Sequence, residues 1–266
     1  VFGYLNDHDI RRDGGVLRAR QKWIGPTKPA GDGAVTNPEA EWDATTGVLV
    51  RNLNSADASV PGTTISDSGV INYLNKFGQM TDYNHKNYDP VSELYYSAIR
   101  YLKNQGNVSA YSSIVGNWDT RYRLADGFPV ITDWEDPILH WCQNNVILGI
   151  GDIYTHRDKN LPGGTSSTEE PAQQSAVSGD DTVNVNAATQ KVAEIEGITI
   201  NTPFTGRENS AYIAGLAYDS HTTDMRPDLT GGKVTVSTYW VDVLEAQSLE
   251  GMARNQYALA AKYGGF

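Results

Sequence analysis

The chain has 266 residues, and its 32 Asp and Glu outweigh 21 Lys and Arg to leave a formal net charge of −11. That balance argues against a nucleic-acid partner, because phosphate binding needs a basic face that releases counterions. No apolar run approaches the roughly 20 residues of a membrane span, and the single Cys142 cannot build an internal disulfide framework.

Residues 1–60 read as rich in strands and loops. Gly14 to Ile24 alternates Val16, Arg18, Arg20 and Lys22 against Leu17, Ala19, Gln21 and Trp23, as a half-exposed strand does. Arg11, Arg12, Arg18, Arg20 and Lys22 form the one dense basic cluster, expected as a solvated strand face. Pro26, Pro29, Gly31, Gly33 and Pro38 punctuate a long loop, and Gly47 to Arg51 reads as a second short strand.

Two helices are signed between 61 and 127. In the first, Ser66 or Asp67 caps, Val70, Ile71, Leu74 and Phe77 share a face, and Gly78 stops it. In the second, Asp89 caps, Pro90 opens, Glu93 complements the dipole, Val91, Leu94, Tyr95, Ala98 and Leu102 make the buried stripe, and Gly106 ends it. Tyr95, Tyr96 and Tyr101 are expected in the core or at its rim.

Val146 to Ile150 is a continuous apolar run, the pattern of a strand covered on both faces, and Asp152 follows at its carboxyl end. Residues 159–181 then read as a long surface loop or inserted lobe. Helical patterns cover Val185 to Ile195 and Glu208 to Ala217, the latter with capping-box spacing of Thr205 and Glu208. Lys233 to Val243 is β-branched and aromatic, hence a strand, and Ser248 to Tyr263 is a final helix. The order strand, loop, helix, helix, strand, helix is that of a parallel α/β sheet with helical crossovers.

Catalytic motifs are scarce: HExxH, GxSxG, Walker and GxGxxG patterns are all absent from the sequence. Asp133, Glu135 and Asp136 beside Trp134 and Trp141 are the most enzyme-like group, since glycosidases set two carboxylates across a sugar, which keeps a polysaccharide hydrolase as an alternative. Asp152, with Thr155, Asp158 and Asn160 following, offers hard oxygen ligands for Mg²⁺ or Ca²⁺; the competing reading is a turn cap.

Several long segments carry a family resemblance: FGYLNDHDIRRDGGVLRARQKWIGPT from Phe2, DSGVINYLNKFG from Asp67, YDPVSELYYSAIRYLKNQG from Tyr88, DGFPVITDWEDPI from Asp126, CQNNVILGIGDIYTHRDKNLPG from Cys142 and AGLAYDSHTTDMRPDLTGGKVTVSTYWVDVLE from Ala214. They resemble the PilC/PilY family of type IV pilus tip-associated proteins. The resemblance implies a long polypeptide with a von Willebrand factor A-like region and a C-terminal calcium-binding β-propeller, of which this would be an internal piece.

On that basis residues 1–127 are expected to be a loop- and β-rich insertion with two helices. Residues 128–266 are expected to be the C-terminal half of a von Willebrand factor A-like α/β domain, with Asp152 as one ligand of an adhesion-type metal site. The DxSxS motif that supplies the first ligands of such a site occurs nowhere in the sequence, so the site is incomplete within it. The resemblance implies a non-enzymatic role at the pilus tip or outer envelope after export through the periplasm, in pilus assembly, adhesion and twitching motility. Its implied partners are minor pilins and a host or surface receptor, and Cys142 is compatible with a partner cysteine elsewhere. A structural subunit of a surface fibre is a further alternative.

Overall fold

The computed structural model describes every residue except 9, 54–55, 58–64, 80–84, 166–168, 201–208, 245–254 and 266. In chain order the elements are β1 (Phe2–Gly3), β2 (Val16–Leu17), β3 (Thr27–Ala30), β4 (Gly33–Thr36), α1 (Val70–Lys76), α2 (Val91–Leu102), α3 (Ser109–Ser112), α4 (Trp118–Ala125), β5 (Asn145–Gly151), α5 (Ser175–Ser178), α6 (Val185–Glu196), α7 (Tyr212–Thr222), β6 (Val236–Asp242) and α8 (Gln256–Tyr263). Among the described residues the strands pair two by two: β1 with β2 and β3 with β4 antiparallel, β5 with β6 parallel. The expected α/β class is therefore observed, with the parallel pair running from Asn145 opposite Val236 to Gly151 opposite Asp242.

One core joins the two halves of the chain. Tyr95, Tyr96, Ile99 and Leu102 of α2 pack with Ile138, Ile153, Leu161, Val177, Ile213 and Leu216, with Val236 of β6 and Tyr257 of α8. Each such side chain contributes about 1.5–3 kcal/mol by leaving water, so α2 is held by the strand pair and α7 as much as by its own turns. The core residues come from both sides of residue 127. Tyr95 also bonds Thr238 of β6 at 2.6 Å.

The central helix is buried nearly all round, rather than along the expected stripe alone. Its first turn lacks a side-chain cap, and Asp89 faces His156 at 2.6 Å instead of capping. Glu93 is fully buried and receives the N–H of Gly14 and of Asn160, a demand stronger than a dipole contact. Helix α1 likewise departs from expectation. Leu74 and Phe77 are exposed while Asn72 and Tyr73 are buried, because the Asn72 amide donates to the carbonyls of Val50, Arg51 and Ser68. Neither Ser66 nor Asp67 caps it; the carboxylate of the distant Glu41 accepts from the N–H groups of Val70 and Ile71 at 2.8 and 2.7 Å.

Further local readings change in the same way. Only Val16–Leu17 of the 14–24 alternation is strand, since β1 offers just two partner residues. Arg18 is buried, not solvated, because it donates to the carbonyls of Ala125, Pro129 and Tyr4. The punctuated loop at 25–37 contains the exposed hairpin β3–β4, turned at Gly31 with φ 56°. Around Gly47 to Arg51 the pairing is a single bridge between Trp42 and Leu49. Helix α6 is capped as a helix should be, by Asn184 at its start and Gly197 at φ 70° after its end. Thr189 is buried in place of the expected Ile195, which is exposed. The Thr205–Glu208 capping box and residues 248–254 of the final helix lie outside the described residues.

The largest difference concerns β5. Its side chains alternate between the core and the outside, and Val146, Leu148 and Ile150 are exposed on one face. The run is continuous in hydrophobicity, yet among the described residues helices pack against its inner face only.

Candidate functional site

The carboxyl ends of the parallel strands gather the expected acid. Asp152 follows β5, and its Oδ1 accepts the Tyr154 N–H at 2.8 Å, closing a turn of the kind that aspartates make with the backbone two residues on. Asp242 ends β6 and accepts from the Leu244 N–H at 3.1 Å and the Asn255 amide at 2.8 Å. Between them stands Tyr257 of α8, whose hydroxyl donates to the Asp152 carbonyl at 2.6 Å and whose ring stacks on Trp240 at 4.2 Å. Burial, followed by the carboxylates of Asp158, Asp89, Asp152 and Asp242, holds the Tyr257 phenol well above its usual range.

These acids are committed to local geometry. Asp89 is engaged with His156, Asp152 with its own turn and Asp242 with Asn255. Among the described residues no group of three or more His, Cys, Asp or Glu is arranged to hold a metal ion. Among the described residues Asp152 is thus a single carboxylate, where an Mg²⁺ or Ca²⁺ site needs several converging oxygens.

A second acidic group lies deeper, and sequence reading missed it because its members are spread from residue 13 to residue 170. The Asn160 amide donates to Asp13 at 2.8 Å and to the Pro171 carbonyl at 2.8 Å, while its backbone N–H donates to Glu93 at 3.0 Å. Asp158 accepts from the Ser92 hydroxyl at 2.8 Å, and Glu170 from the Lys159 N–H at 3.1 Å. Gly14, at φ 69° and with the Tyr111 ring lying where a Cβ would be, brings its N–H to Glu93 at 2.8 Å. The node thus ties the amino-terminal segment, α2 and the start of the 159–181 stretch together. That stretch is only partly a surface loop: Lys159 through Pro162 and Val177 are buried.

Burial pushes Asp13 up to about 6, Asp158 up to about 7 and Glu170 up to about 8. It pushes Glu93 well above the carboxylate range, with the nearby Asp13 and Glu170 adding to the effect. Asp158 Oδ1 and Glu170 Oε2 are buried and find no hydrogen-bond partner among the described residues. The node is a buried acidic joint between three segments.

The acidic knot around Trp134 dissolves into ion pairs. Asp133 and Glu135 are exposed and face Arg20 at 3.0 and 3.6 Å; Asp136 is clasped by Arg226 at 2.7 Å. Trp134 packs edge-on against Phe2 and Tyr101, and its indole N–H donates to the Ile131 carbonyl at 3.0 Å. A cavity of about 230 Å³ lies elsewhere, lined by Arg11, Arg12, Asp13, Tyr111, Pro171 and others. Cys142 is exposed and forms no disulfide.

A family model described as PilY1 homolog, second domain, matches residues 7–224. A type IV pilus biogenesis factor PilY1 homolog from Xylella fastidiosa (strain Temecula1) is 51% identical over 286 aligned residues, covering 100% of this chain. The chain belongs to the PilY1 family. It spans 23% of that PilY1-family relative. No solved structure matches the chain. No described helix of this PilY1-family chain is long and apolar enough to cross a membrane.

Proposed function

We propose that this PilY1-family chain acts without catalysis as part of a type IV pilus biogenesis factor, supporting assembly at the pilus tip and, through it, adhesion and twitching motility. The observation that carries the reading is the 51% identity across the whole chain to a protein named as a pilus biogenesis factor. The dispersal of Asp133, Glu135 and Asp136 into ion pairs supports a structural rather than a hydrolytic use of those acids. Export through the periplasm to the cell surface, and minor pilins and a surface receptor as partners, belong to the same reading.

We also read β5, α6, α7, β6 and α8 as the later half of a von Willebrand factor A-like unit. The parallel pairing of β5 with β6 across two long helices, with Asp152 at the strand end, supports this. In that unit Asp152 works as a turn former rather than as a metal ligand.

The test removes the stretch in frame from the full-length gene product and counts surface pili by electron microscopy alongside twitching-zone diameter. Loss of pili and shrunken zones at unchanged protein abundance are expected. Unaltered pili and zones would overturn the assignment.

A further inference from the structure

The cavity of about 230 Å³ lies where the amino-terminal segment meets α3 and the stretch before α5, and its wall includes Arg11, Asp13, Tyr111 and Gln174. A narrower recess shares Arg11, Arg12 and Asp13 with it and reaches Tyr88 and Arg157. In a chain of net charge −11 this corner gathers cations. Arg12 and Lys86 share the single carboxylate of Asp7 at 2.7 and 3.1 Å, and Arg157 is matched by Glu169 at 2.7 Å. Arg11 is held by a neutral acceptor, the Glu169 carbonyl at 2.8 Å, and its guanidinium lies 6.0 Å from the centre of the Tyr88 ring. Two polar atoms of these walls, the Tyr111 hydroxyl and Arg157 Nη1, are buried and find no hydrogen-bond partner among the described residues. Tyr111 is only 3% exposed. Buried polar groups are rarely left unmet, so orphans beside an open space point to a ligand.

We propose that this cavity binds a small hydroxylated monocarboxylate, a molecule of the size and chemistry of a single sugar acid. Its carboxylate sits against Arg11, where positive charge is in surplus and a guanidinium fork matches two oxygens. Its hydroxyls meet Asp13 and Gln174, and its carbon skeleton lies on Ile10, Ala110 and Pro171. Asp13 is held by the Asn160 amide at 2.8 Å, and burial pushes its carboxyl up to about 6, which softens its repulsion of a single negative charge. A second negative charge, as on phosphate, would still be opposed by that acid. The volume is small for a pocket and suits one sugar ring rather than a chain. The inference stands on the cavity and is independent of the pilus role, so pilus counts and the titration below fail separately.

The experiment titrates the full-length gene product with glucuronate, glucose and inorganic phosphate in a calorimeter. Glucuronate is expected to give saturable heat with a Kd of about 0.1–1 mM, and the other two at least about tenfold weaker binding. Arg11→Gln is expected to weaken glucuronate binding at least about tenfold, and Gln174→Ala severalfold. Arg11 is exposed and Gln174 half-buried, so neither change empties the core, and thermal melts of both variants are expected to match the parent. No saturable heat with glucuronate, equal affinity for glucose, tighter binding of phosphate, or an affinity for glucuronate unchanged in Arg11→Gln would each overturn the inference.

Discussion

The guanidinium of Arg226 closes on the carboxylate of Asp136 through two hydrogen bonds of 2.7 and 2.8 Å, across 90 positions of sequence. The same guanidinium reaches Asp228 at 2.8 and 2.7 Å, and its side chain is only 2% exposed. A planar fork shared by two carboxylates fixes the segment before β5 against the turn before β6. Arg226→Ala is expected to lower the unfolding free energy by about 2–4 kcal/mol, since it strands a partly buried carboxylate. Arg226→Lys should recover only part of that, lacking the fork. Urea unfolding checks both, and a loss below about 0.5 kcal/mol would show the pair to be ornamental.

Gly149 is required by its neighbour. A Cβ there would sit 1.9 Å from the Trp240 ring. Gly149→Ala is expected to cost about 1–3 kcal/mol by forcing the indole off Tyr257, and Gly149→Val more. Tryptophan fluorescence and thermal melts read the two effects together; an unchanged melt would contradict the packing.

The buried acidic node makes stability depend on pH. Asp13, Asp158 and Glu170 hold folded-state pKa values of about 6, 7 and 8, above those of an unfolded chain near 4. The native state then binds the extra protons, so stability falls as pH rises from about 4 to about 8. Asp158→Asn and Glu170→Gln are expected to flatten that slope, each by on the order of 1–3 kcal/mol between the ends of the window. Denaturation midpoints at about pH 5 and pH 8 test it, and variants that retain the parent slope would remove the node as its source.

Helix α1 depends on a carboxylate 29 positions before it. Glu41→Gln keeps acceptor oxygen for one of the Val70 and Ile71 N–H groups, whereas Glu41→Ala keeps none. The alanine variant is expected to lose about 1 kcal/mol, the glutamine variant less. Faster amide exchange in residues 70–73 is the direct measure.

Asp152 serves its turn. Asp152→Asn is expected to be close to neutral because its side-chain oxygen still accepts the Tyr154 N–H, and Asp152→Ala to cost about 1 kcal/mol. Calorimetric titration with Ca²⁺ should give no saturable heat assignable to Asp152; tight stoichiometric binding lost in the alanine variant would restore the metal reading.

By itself the sequence determined the elements whose signals are local. The apolar spacing from Val185 announced α6 and Pro90 opened α2, although α2 ends at Leu102 with Asn104 at φ 55° rather than at Gly106, and two β-rich apolar runs separated by helices specify a parallel pair. It also carried the family, because a resemblance spread over many segments does not depend on how they fold. Tertiary structure alone decided which charges are buried and what they do. Glu93 became a joint rather than a dipole partner, Asp136 an ion-pair partner rather than an acid catalyst, and Arg18 a binder of carbonyls rather than a solvated cation. These outcomes depend on partners dozens of residues away, and no periodicity of 2 or 3.6 encodes such distances. The run at Val146 to Ile150 shows both sides: its composition announced burial on two faces, while packing among the described residues covered one and left Leu148 and Ile150 exposed.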